Sequence, residues 1–231
     1  EISGELINNL NMEERMSLCN MAIECGGKSA IIEADETTRE YLKGNEKGPF
    51  ELYQSHPDYA YSFKKEFSGE KLKSLVAKPH SPDNVSPAEE LGHEKLTRAY
   101  IGSCTGGKLT DFLAAAKILQ GEKVAIDTFV VPATTQVDRE LRTTFLGNKT
   151  LYEIFIESGA KIGRPSCAAC LGGPDDTFGR ANDAQRVIST TNRNFPGRMG
   201  SRQAEIFLAS PYTVAASALT GKVTDPREFV Q

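Results

Sequence analysis

From Arg98 onward the chain alternates short apolar runs with helical repeats, and this alternation restricts its fold more than any other feature. Arg98–Ser103 (RAYIGS) reads as a strand, Leu109–Leu119 (LTDFLAAAKIL) as an amphipathic helix, and Val124–Val131 (VAIDTFVV) as a strand ended by Pro132. Thr150–Gly159 reads as a helix closed by glycine, and Val187–Thr191 as a short strand. Pro211–Leu219 reads as a small-residue helix with proline near its start. Strands alternating with helices specify a mostly parallel sheet, the α/β class. In such sheets ligands sit beyond the carboxyl ends of the strands. Three loops, 103–108, 163–173 and 190–200, hold the residues of chemical interest.

The earlier part is less regular. Met12–Cys25 reads as a helix, with Asn11 as N-cap and Glu13 and Glu14 in its first turn. Leu18, Met21, Ala22 and Cys25 fall at helical spacing for a buried face, and Gly26-Gly27 stops the helix. Ser29–Ile32 suits a buried strand, and Asp35–Leu42 a second helix. Residues 76–93 carry three prolines, which few regular elements survive. The expected organisation is a partial α/β domain over 1–75, a Pro-rich linker over 76–95, and an α/β domain over 96–231.

Composition excludes several classes. A net charge of −4 over 231 residues speaks against generic nucleic-acid binding. No apolar run is long enough for a transmembrane helix, so no membrane partner is expected. The first ten residues are acidic and polar and show no signal peptide, and without an initiator Met the chain reads as a piece of a longer protein. Five cysteines, an odd number, argue against a complete disulfide framework and for a reducing compartment.

The loops carry the chemistry. Ser103-Cys104-Thr105-Gly106-Gly107-Lys108 places a cysteine near a helix start, which favours the thiolate. Gly163–Gly173 (GRPSCAACLGG) holds a CxxC flanked by glycines that let the backbone approach a bulky group. Cys167 and Cys170 can bind one metal ion or cluster, and Cys104 could complete a three-thiolate site. Taken alone, the CxxC is equally a redox pair, half a zinc site or two buried thiols. Cys19 and Cys25 read as plain core cysteines. In the third loop Arg193 and Arg198 suit carboxylate recognition, and Asn192 can bond a substrate or a cluster sulfur. On its own this loop reads as a solvated basic segment.

Together the loops resemble the aconitase superfamily of iron–sulfur hydro-lyases. IGSCTGGK (101–108) is similar to that family's first cysteine signature and GRPSCAACLGG (163–173) to its second. STTNRNFPGRMGS (189–201) resembles the third motif, and CNMAIE (19–24) the helix that carries an active-site Asn and Glu. The GGK and GRMGS variants and the ending ALTGKVTDPREF look most like the large subunits of the isopropylmalate isomerase branch. Homoaconitase, or another dehydratase of the family acting on dimethylmalate or citrate, is the alternative reading that the resemblance leaves open.

The resemblance implies aconitase-like three-layer α/β/α domains with mostly parallel sheets, N-terminally truncated. It implies that Cys104, Cys167 and Cys170 hold a [4Fe–4S] cluster through three irons. The fourth iron would lack a cysteine and act as a Lewis acid on a hydroxyl leaving group. Asn192 would lie beside the cluster, and Arg193 and Arg198 would bind substrate carboxylates. Asn20 would lie near the cluster. Glu24, four residues on and on the same helix face, would protonate the departing hydroxyl. The implied partners are a hydroxy-dicarboxylate substrate, the N-terminal part of the large subunit, and a small subunit whose swivelling domain brings a serine base and further arginines. The implied location is the cytoplasm, or the plastid stroma in a photosynthetic source. Other classes compete less well. An electron-transfer iron–sulfur protein needs a fourth cysteine, and a structural zinc site a fourth ligand. An RNA-binding regulator fits the acidic charge poorly.

Overall fold

A computed structural model describes residues 1–43, 48–56 and 58–229. The chain divides into two compact units, Glu1–Leu72 and Lys73–Gln231.

In the first unit α1 (Glu5–Asn8), α2 (Met12–Met21) and α3 (Glu36–Leu42) are joined by long irregular segments. Asn11 caps α2 as expected. Its side chain accepts from Glu14 N at 3.1 Å, while Asn11 N donates to Glu14 Oε2 at 2.9 Å. Asp35 caps α3 by accepting from Thr38 N at 3.2 Å. The best-buried side chain of α2 is Arg15. It makes two 2.8 Å bonds to Asp35 and one of 3.0 Å each to the carbonyls of Leu10 and Asn8. A buried guanidinium therefore ties the three helices together where apolar packing is thin.

Two expectations fail in this unit. α2 stops at Met21, and Ala22–Cys25 winds as a tighter 3-10 turn closed by Gly26 in the left-handed region. Leu18 and Cys25 are exposed, so this face is not the buried one expected. Ser29–Ile32 forms no strand, and Ile31 is 67% exposed. One backbone bond, from Ile2 N to Ile31 O, is too little pairing to hold a strand.

The second unit is built on a seven-stranded sheet. Its strands are β1 (Leu75–Ala77), β2 (Val85–Pro87), β3 (Arg98–Gly102), β4 (Asp127–Val131), β7 (Lys161–Ile162), β8 (Arg186–Ser189) and β9 (Glu205–Leu208). A minor hairpin, β5 (Phe145–Leu146) with β6 (Lys149–Thr150), stands apart. The order is β2-β1-β9-β8-β3-β4-β7, parallel from β9 to β7 and antiparallel at β1 and β2. Residues 76–95, expected as a linker, thus supply part of the sheet. Their prolines fall where a sheet tolerates them. Pro79 and Pro82 lie in the turn between β1 and β2, and Pro87 ends the edge strand.

The remaining helices are α4 (Leu109–Leu119), α5 (Thr135–Leu141), α6 (Leu151–Ser158), α7 (Ala168–Leu171) and α8 (Pro211–Thr220). Side chains alternate through the sheet. Ala99, Ile101, Val130, Ile188 and Phe207 face a core shared with α4, α6 and α8. Tyr100, Phe129, Val131, Val187, Ile206 and Leu208 face a second core. That second face is closed by the short α7 and by the loops around it, through Ala169, Ala181, Met199 and Ala204. The loops of chemical interest are therefore packed layers of the fold.

Candidate functional site

β3, β4, β7 and β8 are parallel, so their carboxyl ends share one edge of the sheet. The loop with Cys104 leaves β3, the loop with Cys167 and Cys170 leaves β7, and the loop with Asn192 leaves β8. From β3 the chain steps to β4 on one side and later places β8 on the other, the kind of switch point at which α/β sheets bind ligands.

The first loop is held from across the sheet by Thr190. Its Oγ1 accepts from Gly102 N at 2.8 Å and lies 2.9 Å from Gly102 O and 3.0 Å from Gly106 O. Thr105 Oγ1 donates to Thr190 O at 3.2 Å. Gly106 allows this closeness, since a Cβ there would fall 2.3 Å from Thr190 Cβ. Ser103 is fully buried at φ 80, a conformation that few non-glycine residues adopt, and it turns the chain so that Cys104 is exposed. Neither Ser103 nor Thr190 stands out in the sequence, because their partners lie far along the chain.

The second loop is pinned to the sheet by Gly163 N donating to Val130 O at 2.9 Å. Ser166 Oγ accepts from Ala168 N at 3.0 Å, which starts α7 directly after Cys167. It borders a hollow of about 370 Å³ lined by Val131, Ile162, Arg164, Ser166, Thr177 and Phe178, a size suited to a small ligand. Gly172, at φ 71, packs against the third loop. A Cβ there would come within 3.0 Å of Gly197 O.

The three cysteines converge. The thiol of Cys167 hydrogen-bonds Cys104, which lowers its pKa. Its hydrogen bond to Cys170, burial and the Cys170 charge push the other way and prevail, so the pKa is raised. Cys170 is brought down to about 7, chiefly by its hydrogen bond from Cys167 and, against the opposing effect of burial, by the charge and hydrogen bond of Arg198. Arg198 Nη2 donates to Cys170 Sγ at 3.1 Å and to Asn192 Oδ1 at 3.2 Å. Cys170 Sγ lies 3.8 Å from Asn192 Oδ1.

Cys104, Cys167, Cys170, Asn192 and Arg198 therefore form one constellation. Arg193 is half-buried in the same loop as Arg198. Asn20 and Glu24 lie in the first unit. Asn20 is exposed at the end of α2, and Glu24 is half-buried in the 3-10 turn. Glu24 thus stands in a turn of about three residues per turn, past the end of the α-helix that carries Asn20.

Among the described residues no group of three or more His, Cys, Asp and Glu is arranged to hold a single metal ion. A cluster asks for something else, one thiolate for each of several irons. The site fits that demand. It offers three thiols from two loops, one of which ionises near neutral pH, as ligation requires. It also offers a buried donor, Arg198 Nε, that no acceptor among the described residues answers.

The profile of the aconitase family (aconitate hydratase) matches residues 1–221. The chain is 52% identical to the 3-isopropylmalate dehydratase large subunit, chloroplastic, of Arabidopsis thaliana, over all of this chain and 47% of that protein. It is 42% identical to the corresponding large subunit of Aquifex aeolicus, over all of this chain and 53% of that protein. Large subunit 1 of Pyrococcus furiosus is also 42% identical, over all of this chain and 54% of that protein. The chain spans about half the length of the curated relatives it matches.

Proposed function

We propose that this chain, which belongs to the aconitase family, is the cluster-bearing part of a hydro-lyase large subunit that interconverts 2- and 3-isopropylmalate in leucine biosynthesis. The names of its relatives support the substrate. The observation that carries the chemistry is the meeting of Cys104, Cys167 and Cys170 with Arg198 on the sulfur of Cys170.

In this reading Cys104, Cys167 and Cys170 hold a [4Fe–4S] cluster. Such a cluster supplies, when bound, an iron without a cysteine that polarises the leaving hydroxyl. Asn192 positions Arg198 through their 3.2 Å bond. Arg198 and Arg193 orient the substrate carboxylates, whose planar anions guanidinium groups pair best. Glu24 carries a proton to the departing hydroxyl, and Asn20 orients the groups around it. The base for the carbon-bound proton comes from a small-subunit partner, and the rest of the large subunit completes the pocket. The chloroplastic name of the Arabidopsis relative supports a plastid stroma, with cytoplasm the alternative for a source without plastids. No helix of the described residues is long and apolar enough to cross a membrane.

The test is anaerobic reconstitution of the full-length large subunit with its small subunit. Iron and sulfide content, a substrate-induced change in the EPR signal and ultraviolet absorbance of the alkene intermediate are read together. A complex that holds a cluster but shows no substrate effect on its EPR signal is an electron carrier, and the proposal fails.

A further inference from the structure

We propose that Asn194 is a positioning residue of the substrate site: by bonding the turn between β1 and β2, it fixes the direction in which Arg193 meets a substrate carboxylate. The assignment rests on the reading of Arg193 given above.

Asn194 is 0% exposed and lies in the loop after β8, between Arg193 and Arg198. Its Nδ2 donates to Lys78 O at 2.8 Å and lies 3.5 Å from Ser81 O. Those carbonyls belong to a turn that is itself firmly held. Lys78 N donates to Asn84 O at 2.8 Å, Asn84 N to Ser81 O at 3.2 Å and Asn84 Nδ2 to Pro79 O at 3.1 Å. Pro79 and Pro82 restrict its backbone further. Ala77, just before the turn, pairs with Leu208 of β9. Asn194 is thus tied to a fixed point of the sheet, 116 positions away in the chain.

The other end of its amide shows which atom matters. Asn194 Oδ1 is buried and has no partner among the described residues. Burying an unanswered carbonyl oxygen costs stability. An apolar side chain of similar size would avoid that cost, but it would deprive Lys78 O of this donor. The neighbours give the bond its use. Asn192 Oδ1 accepts from Arg198 Nη2 at 3.2 Å and lies 3.8 Å from Cys170 Sγ, so Asn192 turns toward the cysteines. Asn194 turns toward the β1–β2 turn. Arg193, half-buried, stands between two anchored residues, which leaves its backbone little freedom. Met199, buried in the second core, accepts on its carbonyl from Ala181 N at 2.8 Å and holds the far end of the loop. Arg198 keeps its own bonds to Cys170 and Asn192. Release of Asn194 therefore acts on Arg193 first.

The experiment is a double-mutant cycle in the full-length large subunit with its small subunit, reconstituted anaerobically. Wild type, Asn194→Ala, Arg193→Ala and the double variant are compared in iron and sulfide content and in kcat/KM for 3-isopropylmalate. The dissociation constant of 3-isopropylmalate, titrated through the substrate-induced EPR change, is read beside them. Asn194→Ala should keep the wild-type cluster content, weaken substrate binding about tenfold and lower kcat/KM by as much. In the Arg193→Ala background the same change should cost less than about twofold, because the residue it positions is gone. Equal losses in both backgrounds, unchanged binding and kinetics, or loss of cluster would each show a role that does not run through Arg193, and would overturn the assignment. If Asn194→Ala does not assemble, Asn194→Ser goes through the same cycle, and failure of both would make the contact structural and overturn the assignment as well. A loaded wild type that turns over no isopropylmalate, or an Arg193→Ala protein with wild-type binding and kinetics, would instead overturn the reading of the site on which the assignment rests.

Discussion

Arg198 reaches the sulfur of Cys170 at 3.1 Å, so the guanidinium that its motif offers to a carboxylate is already bonded to a thiol. One residue can serve both. Nη2 takes the sulfur and Asn192, while Nε is buried and without a partner among the described residues. A lysine offers one compact charge and cannot divide itself this way. Arg198→Lys in the complete enzyme should lower kcat/KM by more than tenfold, about 1.4 kcal/mol. Unchanged kinetics would remove Arg198 from the substrate site.

The ionisation of Cys170 offers a test without substrate. Its pKa of about 7 lies below the ordinary thiol value, with Cys167 the leading cause and Arg198 a further one. In the cluster-free protein Cys167→Ala should raise the pKa of Cys170 more than Arg198→Met does. Both should move the thiolate titration to higher pH, read by ultraviolet absorbance or by carbon NMR of labelled cysteine. If Arg198→Met has the larger effect, the order of causes argued here is wrong.

Thr190 links two strands whose loops carry Cys104 and Asn192. Thr190→Val keeps the shape but leaves Gly102 N, inside the sheet, without the side-chain oxygen it now bonds. The cost should be about 1–3 kcal/mol. Thr190→Ser should retain most of the stability. Urea unfolding of the three proteins checks this, and equal midpoints would show that the hydroxyl bonds contribute nothing.

Much of the second unit is legible from local signals. α4 follows its apolar periodicity, α6 runs from the Thr150 cap to Gly159, and α8 from Ser210-Pro211 to Gly221. The cysteine and arginine loops follow from motif likeness. What is not legible depends on distant partners. Leu75–Ala77 and Val85–Pro87 read as linker because prolines surround them, yet pairing with each other, and of β1 with β9, makes them strands. Ser29–Ile32 has the apolar residues of a strand but no pairing strand among the described residues of its unit. The link from Thr190 to Gly106, across 84 positions, leaves no local trace.

In the first unit the Arg15–Asp35 pair sets a pH dependence. Arg15 holds the Asp35 carboxyl down at about 2, below its ordinary range. A depressed carboxylate contributes stability that is full above its unfolded pKa of about 3.9 and fades as pH falls toward 2. The Asp35 side chain is 39% exposed, so screening limits the pair to about 1 kcal/mol. Asp35→Asn should therefore make residues 1–72 more open to proteolysis at neutral pH, with the difference from wild type vanishing near pH 2. A difference that persists at pH 2 would point to lost capping of α3 as the whole effect.

The last prediction separates the cysteine site from the complete reaction. Elimination of water needs a base for the carbon-bound proton and an acid for the leaving hydroxyl. Glu24 is the acid proposed here, and no residue of this chain matches the serine base that the family resemblance implies. Residues 1–231, loaded with cluster and given isopropylmalate, should produce no alkene absorbance. Loss of substrate positioning alone removes several kcal/mol of transition-state stabilisation. Adding the rest of the large subunit and the small subunit should restore turnover, and Cys104→Ala in that assembly should abolish it together with the iron content. Sustained turnover by residues 1–231 alone would mean that the base lies within this chain, and the division of the active site argued here would be wrong.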